Sequence, residues 1–243
     1  MGKLDGKVAL VTGGNRGIGK GIARGLAAEG ASVVITARDK QVLEQTAKEL
    51  SAGGATIVPH PADVTDEAQV EALFAAAMKR FNRLDVLVNN AGAFDGGPIE
   101  NLSLEAWEKV MAVNLRGPFL CTRSAFRIMK KQGGGRIINI GSISAQRVRL
   151  NSAPYSTSKH GLWGLTQVTA LEGRDHGIVC GCLHPGNTLV ERREESAKRE
   201  DAEPMMTVDE LAQTAVLMAS LPPHVNLLEA IVLPVGQLYI GRG

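Results

Sequence analysis

The sequence is poor in aromatic residues and cysteine, and its net charge is close to zero. It holds five Phe, two Trp, two Tyr and three Cys among 243 residues, with a formal net charge of +2. An odd, small number of cysteines cannot build a disulfide framework, and a near-neutral balance offers no basic surface for nucleic acid. No apolar run reaches the roughly 18 residues that a membrane-spanning helix needs. These absences predict a globular protein that binds neither nucleic acid nor a membrane.

Histidine spacing and the start of the chain exclude two further classes. The five histidines show no metal-ligand spacing, so we expect no metal site. The opening segment runs into an apolar stretch without a signal-peptide cleavage site. Cys180 and Cys182 alternate on one predicted strand, which favours buried thiols over a disulfide. We therefore expect a cytoplasmic protein.

Glycine, by contrast, is abundant, with 28 residues against an average share of roughly 7%. Short apolar runs alternate with longer helical patterns, which is typical of strand–helix–strand units in a parallel sheet. The sequence therefore predicts one α/β domain over residues 1–243, with a doubly wound sheet and two long helices. The predicted strands are Val8–Val11, Ser32–Thr36, Thr56–Val58, Val86–Asn89, Arg136–Ile140, Ile178–Leu183 and Ala230–Val235, and the long helices run from Leu104 to about Lys131 and from Ser152 to about Gly173.

A glycine-rich turn, residues 12–19 with the sequence TGGNRGIG, follows the first predicted strand. Glycines let the backbone approach a pyrophosphate closely, and a helix that starts there offers unpaired N–H groups and a positive dipole end. The spacing Gly-x-x-x-Gly-x-Gly differs from the general dinucleotide fingerprint, but its place between a strand and a helix predicts a dinucleotide site. The expected contacts in the turn are Gly13, Asn15, Arg16, Gly17, Ile18 and Gly19.

The residues about twenty positions further on bear on which nicotinamide cofactor is used. Folds that bind NAD(H) place an acid there for the ribose 2′-hydroxyl, and this chain has Ala37 followed by Arg38. Arg16 and Arg38 can grip a 2′-phosphate by bidentate hydrogen bonds. Asp39 would reach a 2′-hydroxyl if the second strand ended later than predicted. NADP(H) is therefore favoured, and NAD(H) stays open.

Tyr155 and Lys159 stand four residues apart and would share one face of a helix. This pattern alone is common, and its weight comes from its companions elsewhere in the chain. These are Gly141-Ser142 after the fifth strand, Asn89-Asn90-Ala91-Gly92 after the fourth, and Asn114 in the long helix between them. Together with the glycine turn, the motifs resemble the short-chain dehydrogenase/reductase family from about residue 6 to Gly186.

The resemblance implies a Rossmann-type sheet of order 3-2-1-4-5-6-7 and hydride transfer between a nicotinamide cofactor and a ketone or secondary alcohol. It implies Tyr155 as the general acid or base and Lys159 as the ammonium beside it, which also binds the nicotinamide ribose. Tyrosine ordinarily titrates near pH 10, so proton transfer at neutral pH needs such a positive neighbour. Ser142 would hold the substrate oxygen, and Asn114 a water that links Lys159 to solvent.

Further cofactor contacts are implied by the same resemblance. Asp63-Val64 is similar to the adenine-binding pair of the family, although Asp63 could instead cap the helix that begins near Asp66. Asn90 would lie on the ribose side, and Pro185-Gly186 would order the nicotinamide carboxamide. The expected contacts outside the glycine turn are Arg38, Asp63, Val64, Asn90, Ala91, Gly92, Tyr155, Lys159, Pro185, Gly186 and Thr188.

Beyond Gly186 the resemblance weakens. The family commonly has a threonine where Val190 stands, and we expect Thr188 to substitute for it. His184 is expected to be a packed or surface group rather than a second acid. The carboxyl-terminal stretch also lacks a double glycine that is common in fatty-acyl-type reductases of the family, which weakens a 3-oxoacyl-carrier assignment.

Ten of the thirteen residues from Glu191 to Glu203 are charged, so this segment is expected to be exposed. It is interpreted either as a solvated helix or as part of a mobile substrate lid near residues 187–206. Substrate choice should depend on this segment together with Phe94–Pro98 and Ile143–Ala153, which do not identify the substrate.

The sequence also bears on two alternative functions and on the assembly state. A dinucleotide-sensing protein could keep the fold without catalysis, but such a protein would tolerate loss of the tyrosine or lysine, and both are present. An epimerase or dehydratase of the longer relatives carries a separate substrate domain, for which 243 residues leave no room. The two long helices carry apolar faces that the resemblance implies are buried in a homodimer or homotetramer.

Overall fold

Seven parallel strands lie at the centre of the molecule, in a computed structural model that describes residues 2–191, 194 and 203–239. Their order is β3-β2-β1-β4-β5-β6-β7, which confirms the predicted doubly wound sheet. The strands are β1 (Val8–Thr12), β2 (Ser32–Thr36), β3 (Ile57–Pro59), β4 (Val86–Asn89), β5 (Gly135–Ile140), β6 (Ile178–Pro185) and β7 (Glu229–Val232).

The central strands are apolar on both faces because helices cover both sides of the sheet. Every residue of β1 is buried, and Val11 pairs in register with Ile35 of β2 and Val88 of β4. The helices are α1 (Gly17–Ala28), α2 (Lys40–Ser51), α3 (Glu67–Phe81), α4 (Leu104–Met111), α5 (Gly117–Gln132), α6 (Ala153–Gly173) and α7 (Val208–Ser220).

Two apolar clusters join these layers. One holds Ile22 of α1, Leu43 of α2 and Leu211 of α7 against one face of the sheet. The other holds Phe74 of α3 and Leu120 of α5 against the opposite face. Among the described residues, no helix combines the length and the apolar character needed to cross a membrane.

Most predicted strand bounds lie within two residues of the observed ones, but two predicted elements differ further. The long helix predicted from Leu104 to about Lys131 is interrupted, because residues 112–116 form a π-helical turn between α4 and α5. The last strand ends at Val232 rather than Val235 because Pro234 lacks the N–H that would continue the ladder. The charged segment lies largely outside the described residues, and so does half of the predicted lid.

Candidate active site

The carboxyl ends of the strands bring the predicted site residues to one edge of the sheet. The glycine turn follows β1, Arg38 follows β2 and Asp63 follows β3. Residues 90–92 follow β4, Ser142 follows β5, and Pro185 ends β6. Parallel strands all end at one edge, so the fold gathers these residues around the switch in strand order between β1 and β4, where ligands bind in such sheets.

Three positions in the glycine turn require glycine. Gly13 and Gly17 have φ angles of 62° and 52°, in the left-handed region that side chains disfavour. A Cβ on Gly19 would overlap the carbonyl oxygen of Gly13 and the side-chain amide of Asn90. The turn is therefore a tight cradle of bare backbone at the start of α1, and this geometry fits the diphosphate of a dinucleotide.

Thr12 and Asn90 fasten this turn to the end of β4. The Thr12 hydroxyl oxygen accepts hydrogen bonds from the backbone N–H groups of Asn90 and Ala91, both at 3.0 Å. The Asn90 side chain donates in return to the carbonyl oxygens of Thr12, at 2.9 Å, and Gly13, at 3.1 Å. The side chain of Asn90 therefore supports the turn, and the ribose contact implied by the resemblance would be additional.

The N-cap residue of α1 does not cap the first turn of the helix with its side chain. Arg16, at the N-cap position, is extended and makes no capping hydrogen bond. The backbone N–H of Gly17 donates instead to Oε1 of Glu191 at 3.1 Å. A carboxylate from the start of the charged segment therefore lies at the positive end of the helix, where the phosphates of a dinucleotide are expected.

The end of β2 bears on the choice of cofactor. The strand ends at Thr36, as predicted, and Arg38 is exposed. Asp39 serves as the N-cap of α2, where its Oδ1 accepts from the backbone N–H of Val42 at 3.1 Å. One oxygen of the acid that could bind a ribose 2′-hydroxyl is therefore used as a helix cap.

The Asp63-Val64 pair lies between β3 and α3. Asp66, not Asp63, caps α3, by accepting from the backbone N–H of Gln69 at 3.0 Å. Oδ1 of Asp63 accepts from the backbone N–H and the hydroxyl of Thr65, at 2.9 and 2.8 Å. The alternative role of Asp63 as a helix cap is thus wrong, and the residue instead stabilises the turn that carries Val64.

Tyr155 and Lys159 lie on the first turns of α6 and face the end of β5. Lys159 is buried, and its Nζ lies 5.7 Å from the centroid of the Tyr155 ring. This ammonium donates to the carbonyl oxygen of Ile140, the last residue of β5, at 2.8 Å. Phe94, after β4, places its exposed ring 5.3 Å from that of Tyr155. The site therefore combines a buried cation, a tyrosine and an apolar rim.

Asn114 lies at the centre of the π-helical turn and is buried. Its Oδ1 accepts from the backbone N–H of Ala93 at 2.7 Å, and its Nδ2 donates to Ala93 O at 2.9 Å. Nδ2 also donates to the hydroxyl of Ser158 at 3.1 Å, and Ser158 in turn donates to the carbonyl oxygen of Tyr155 at 2.7 Å. Asn114 thus ties the loop after β4 to the helix that carries the tyrosine.

Ser142 is buried at the end of β5 and caps a short 3₁₀ turn, Ile143–Ala145. Its Oγ accepts from the backbone N–H of Ser144 at 3.1 Å. The hydroxyl proton is not used in that bond and is left for a further acceptor. The imidazole of His184, on β6, lies against the backbone of Ser142.

The Pro185-Gly186 turn is held by the carboxyl-terminal residues. Gly186 donates its N–H to the carbonyl oxygen of Val232 at 2.8 Å. Oε1 of the buried Gln237 accepts from the backbone N–H of Asn187 at 2.7 Å. Thr188 is buried, and its hydroxyl donates to Gly186 O at 3.2 Å, which places it beside this turn.

Four residues important to this geometry were not singled out from the sequence: Thr12, Glu191, Gln237 and, beyond a packing role, His184. Thr12 and His184 are polar residues at the ends of otherwise apolar strands, a signal that could have marked them. Glu191 and Gln237 act through contacts between distant parts of the chain, and no local pattern identifies such contacts.

The cysteines provide no reactive thiolate. Burial raises the pKa of the Cys121 and Cys182 thiols to about 12 and raises that of Cys180 as well. All three are unpaired. Within residues 2–191, 194 and 203–239, no group of histidine, cysteine and acidic side chains is arranged to hold a metal ion.

Comparison with known proteins places this geometry in a family. The family model described as short chain dehydrogenase matches residues 7–201. An uncharacterized oxidoreductase of Bacillus subtilis (strain 168) is 44% identical over 180 residues, covering 74% of this chain and 70% of its own length. The 3-oxoacyl-[acyl-carrier-protein] reductase of Synechocystis is 36% identical over 214 residues, covering 88% of this chain and 85% of the reductase.

A solved structure extends the similarity to nearly the whole chain. A variant of actinorhodin polyketide ketoreductase with NADPH aligns with a TM-score of 0.87 and 33% identity. The alignment covers 96% of this chain and 98% of the ketoreductase. The chain is thus a member of the short-chain dehydrogenase family, whose enzymes use a nicotinamide cofactor to act on alcohol and keto groups.

Proposed function

We propose that this enzyme interconverts a ketone and a secondary alcohol with NADP(H), and that Asn114, Ser142, Tyr155 and Lys159 carry out the reaction. The observation that supports this most directly is the position of the Lys159 ammonium. Its hydrogen bond to Ile140 O holds it two residues before Ser142, and it lies 5.7 Å from the Tyr155 ring. Proton donor, cation and serine therefore lie at the end of one strand.

The proposed chemistry follows from what each side chain can donate. When bound, NADPH supplies the hydride for the carbonyl carbon. Tyr155 donates its hydroxyl proton to the carbonyl oxygen, and the Lys159 ammonium stabilises the phenolate that remains. Ser142 directs its hydroxyl proton to the same oxygen, since Oγ already accepts from Ser144. In the oxidative direction Tyr155 takes the proton from the alcohol.

Asn114 is assigned a supporting part in this proposal. Its bonds to Ala93 and Ser158 hold the loop after β4 against α6. We assign to it the water that links Lys159 to solvent, so that the ammonium can pass a proton to Tyr155 after each turnover.

The preference for NADP(H) rests on the residues after β1 and β2. Arg16 and Arg38 are exposed, and neither forms an ion pair with a carboxylate of the described residues. Asp39 caps α2. The remaining proposed contacts to the cofactor are Gly13, Asn15, Gly17, Ile18, Gly19, Asp63, Val64, Asn90, Ala91, Gly92, Tyr155, Lys159, Pro185, Gly186 and Thr188.

Fluorescence titration with NADPH and, separately, NADH tests the cofactor assignment without a known substrate. We expect NADPH to bind more tightly, and Arg38→Ala to weaken NADPH about tenfold while leaving NADH unchanged, because the lost bonds are to the 2′-phosphate. Lys40→Ala removes an equally charged, exposed residue two positions away and serves as the matched control. Tighter binding of NADH by the wild type would contradict the preference.

Two relatives support reduction of a carbonyl as the direction to test first. The Synechocystis relative is a 3-oxoacyl-[acyl-carrier-protein] reductase, and the structural neighbour with NADPH is a ketoreductase. We expect purified enzyme to oxidise NADPH with a member of a panel of 3-oxoacyl thioesters and cyclic ketones, in proportion to the alcohol formed. Tight NADPH binding without turnover across this panel and a panel of alcohols would favour a sensing role instead.

A homodimer or homotetramer is proposed as the working assembly. Phe119 on α5 and Val168 and Leu171 on α6 are apolar and 46–62% exposed. Such residues on long neighbouring helices are typical of surfaces that a second subunit covers.

We propose the cytoplasm as the location of the protein. Its three buried, unpaired thiols fit the reducing conditions there.

A further inference from the structure

His184 is a buried histidine that makes contact with the backbone of the proposed catalytic serine. Its side chain has no solvent exposure. Nδ1 lies 3.2 Å from the backbone nitrogen of Ser142 and 2.9 Å from its carbonyl oxygen. One ring nitrogen cannot serve both groups, because it accepts from the N–H when unprotonated and donates to the oxygen when protonated.

The other ring nitrogen faces a carboxylate. Nε2 lies 3.3 Å from Oε1 of Glu229 on β7, and it has no aligned hydrogen-bond partner among the described residues. A carboxylate oxygen attracts a proton on Nε2, and this neutral tautomer leaves Nδ1 as an acceptor. In that form Nδ1 takes the N–H of Ser142.

The surroundings of the imidazole are built to hold it in place. A Cβ at Gly141 would lie 2.6 Å from Nδ1 and 2.7 Å from the sulfur of Cys182, so only glycine admits the ring here. Trp163 of α6 packs edge-on, with ring centroids 6.0 Å apart. The His184 ring therefore explains why residue 141 is glycine, and the absence of a side chain at Gly141 lets the ring pack against the backbone of Ser142.

We propose that His184, backed by Glu229, is a positioning residue for Ser142: by holding its backbone N–H, the imidazole sets the direction of the serine hydroxyl. The inference rests on the proposed role of Ser142 and adds a pH-dependent element to it. Protonation of Nδ1 turns the acceptor into a donor, releases the Ser142 N–H and moves the hydrogen bond to the carbonyl oxygen. The serine then loses its alignment.

Two charged groups that face His184 shift the pH at which this change occurs. They are Glu229 on β7 and the Lys159 ammonium on α6, while Cys182 on the same strand is an uncharged thiol at neutral pH. Burial, and to a smaller extent Lys159, lower the pKa of His184 below 6.5, against the opposing effects of the Ser142 backbone and Glu229. The aligned, neutral form therefore prevails at neutral pH and is lost on acidification.

Two substitutions separate positioning from packing. Asn places its amide oxygen where Nδ1 stands and can accept from Ser142, whereas Leu fills the site without any acceptor. We expect His184→Leu to lower kcat for carbonyl reduction about tenfold, with KM and NADPH affinity changed less than twofold, and His184→Asn to restore most of that loss. We also expect the acid limb of the wild-type pH profile to be absent in His184→Asn.

Hydrogen exchange of the Ser142 amide provides a readout that needs no substrate. We expect faster exchange at this amide in His184→Leu and near-wild-type exchange in His184→Asn at pH 7.5, with faster wild-type exchange at pH 5.5 after correction for intrinsic rates. Equal exchange or equal kcat in the two variants would overturn the inference. Wild-type protein that binds NADPH but never turns over would refute the proposed function, and the exchange result would still decide the positioning.

Discussion

The ring of Tyr155 lies beside a buried ammonium on one side and the exposed ring of Phe94 on another. The ammonium is the positive neighbour that the proposed proton transfer uses, and the Phe94 ring offers an apolar surface for substrate beside the tyrosine. A proton donor with this pair of neighbours suits a substrate whose carbonyl oxygen is polar and whose remaining groups are apolar.

The hydroxyl of Tyr155 is expected to be needed for turnover but not for cofactor binding. Tyr155→Phe should lower kcat at least a hundredfold, because general acid catalysis contributes about 10²–10⁴ in rate. NADPH affinity, measured by fluorescence, should stay within about twofold, since the ring and its packing are kept. Parallel loss of affinity and turnover would show that the residue does not act as the acid.

A second prediction at this scale concerns stability and pH. The folded-state pKa of His184 lies below the ordinary 6.5, so between these two values the unfolded chain binds more protons than the folded one. The contribution of His184 to stability is therefore fully present above about pH 6.5 and is lost as the pH falls towards the lower folded-state pKa. Urea unfolding of the wild type between pH 7.5 and 5.5 should show this slope, and His184→Asn should flatten it. An unchanged slope in the variant would assign the effect to other groups.

At the scale of elements, α1 begins with an N–H that is already occupied by a carboxylate. Glu191 comes from the segment that leads away from β6, so this contact joins two parts of the chain that both border the expected phosphate position. In the proposed cofactor position, a dinucleotide phosphate would compete with that carboxylate for the start of the helix.

Removing this charge is expected to strengthen cofactor binding. Glu191→Gln should tighten NADPH about two- to fivefold, corresponding to the roughly 0.3–1 kcal/mol of a charge near a helix terminus. The gain should shrink in high salt, because exposed charges are screened. Glu172→Gln is the control: it removes an equal charge near the C-terminal end of α6, far from the glycine turn, and should leave NADPH affinity unchanged. Weaker NADPH binding by Glu191→Gln would show that the carboxylate assists cofactor binding.

A comparison of predicted and observed elements shows which features local sequence patterns can predict. β2 and β4 have their predicted bounds because their apolar runs are framed by polar residues and glycine. The interruption around Asn114 was not predicted, because its apolar spacing continues through the π-helical turn without a glycine or proline until residue 117. In the site, the glycine turn and the Tyr155–Lys159 pair follow from local spacing, whereas His184 acquires its place only when β5 and β6 pair.

For the whole molecule, the exposed apolar side chains of α5 and α6 lead to a prediction about assembly. Light scattering should give a mass two or four times the 25.7 kDa of one chain. Leu171→Glu should shift the protein towards smaller species, because a charge would be buried at the interface. Val42→Glu on α2 changes another exposed apolar residue, away from these helices, and should leave the mass unchanged. A monomer in the wild type would refute the assembly.

The five-residue π-helical turn between α4 and α5 fixes the rotational phase of one helix relative to the other. Each residue of an α-helix advances the chain by about 100°, and a π turn holds one residue more than the regular ladder. Deleting a single residue there would restore an unbroken helix and rotate α4 by about a quarter turn. The face of α4 that buries Val110 would then turn away from the residues that it packs against. Asn114 thus lies at the point that sets how the faces of α4 and α5 are oriented relative to each other.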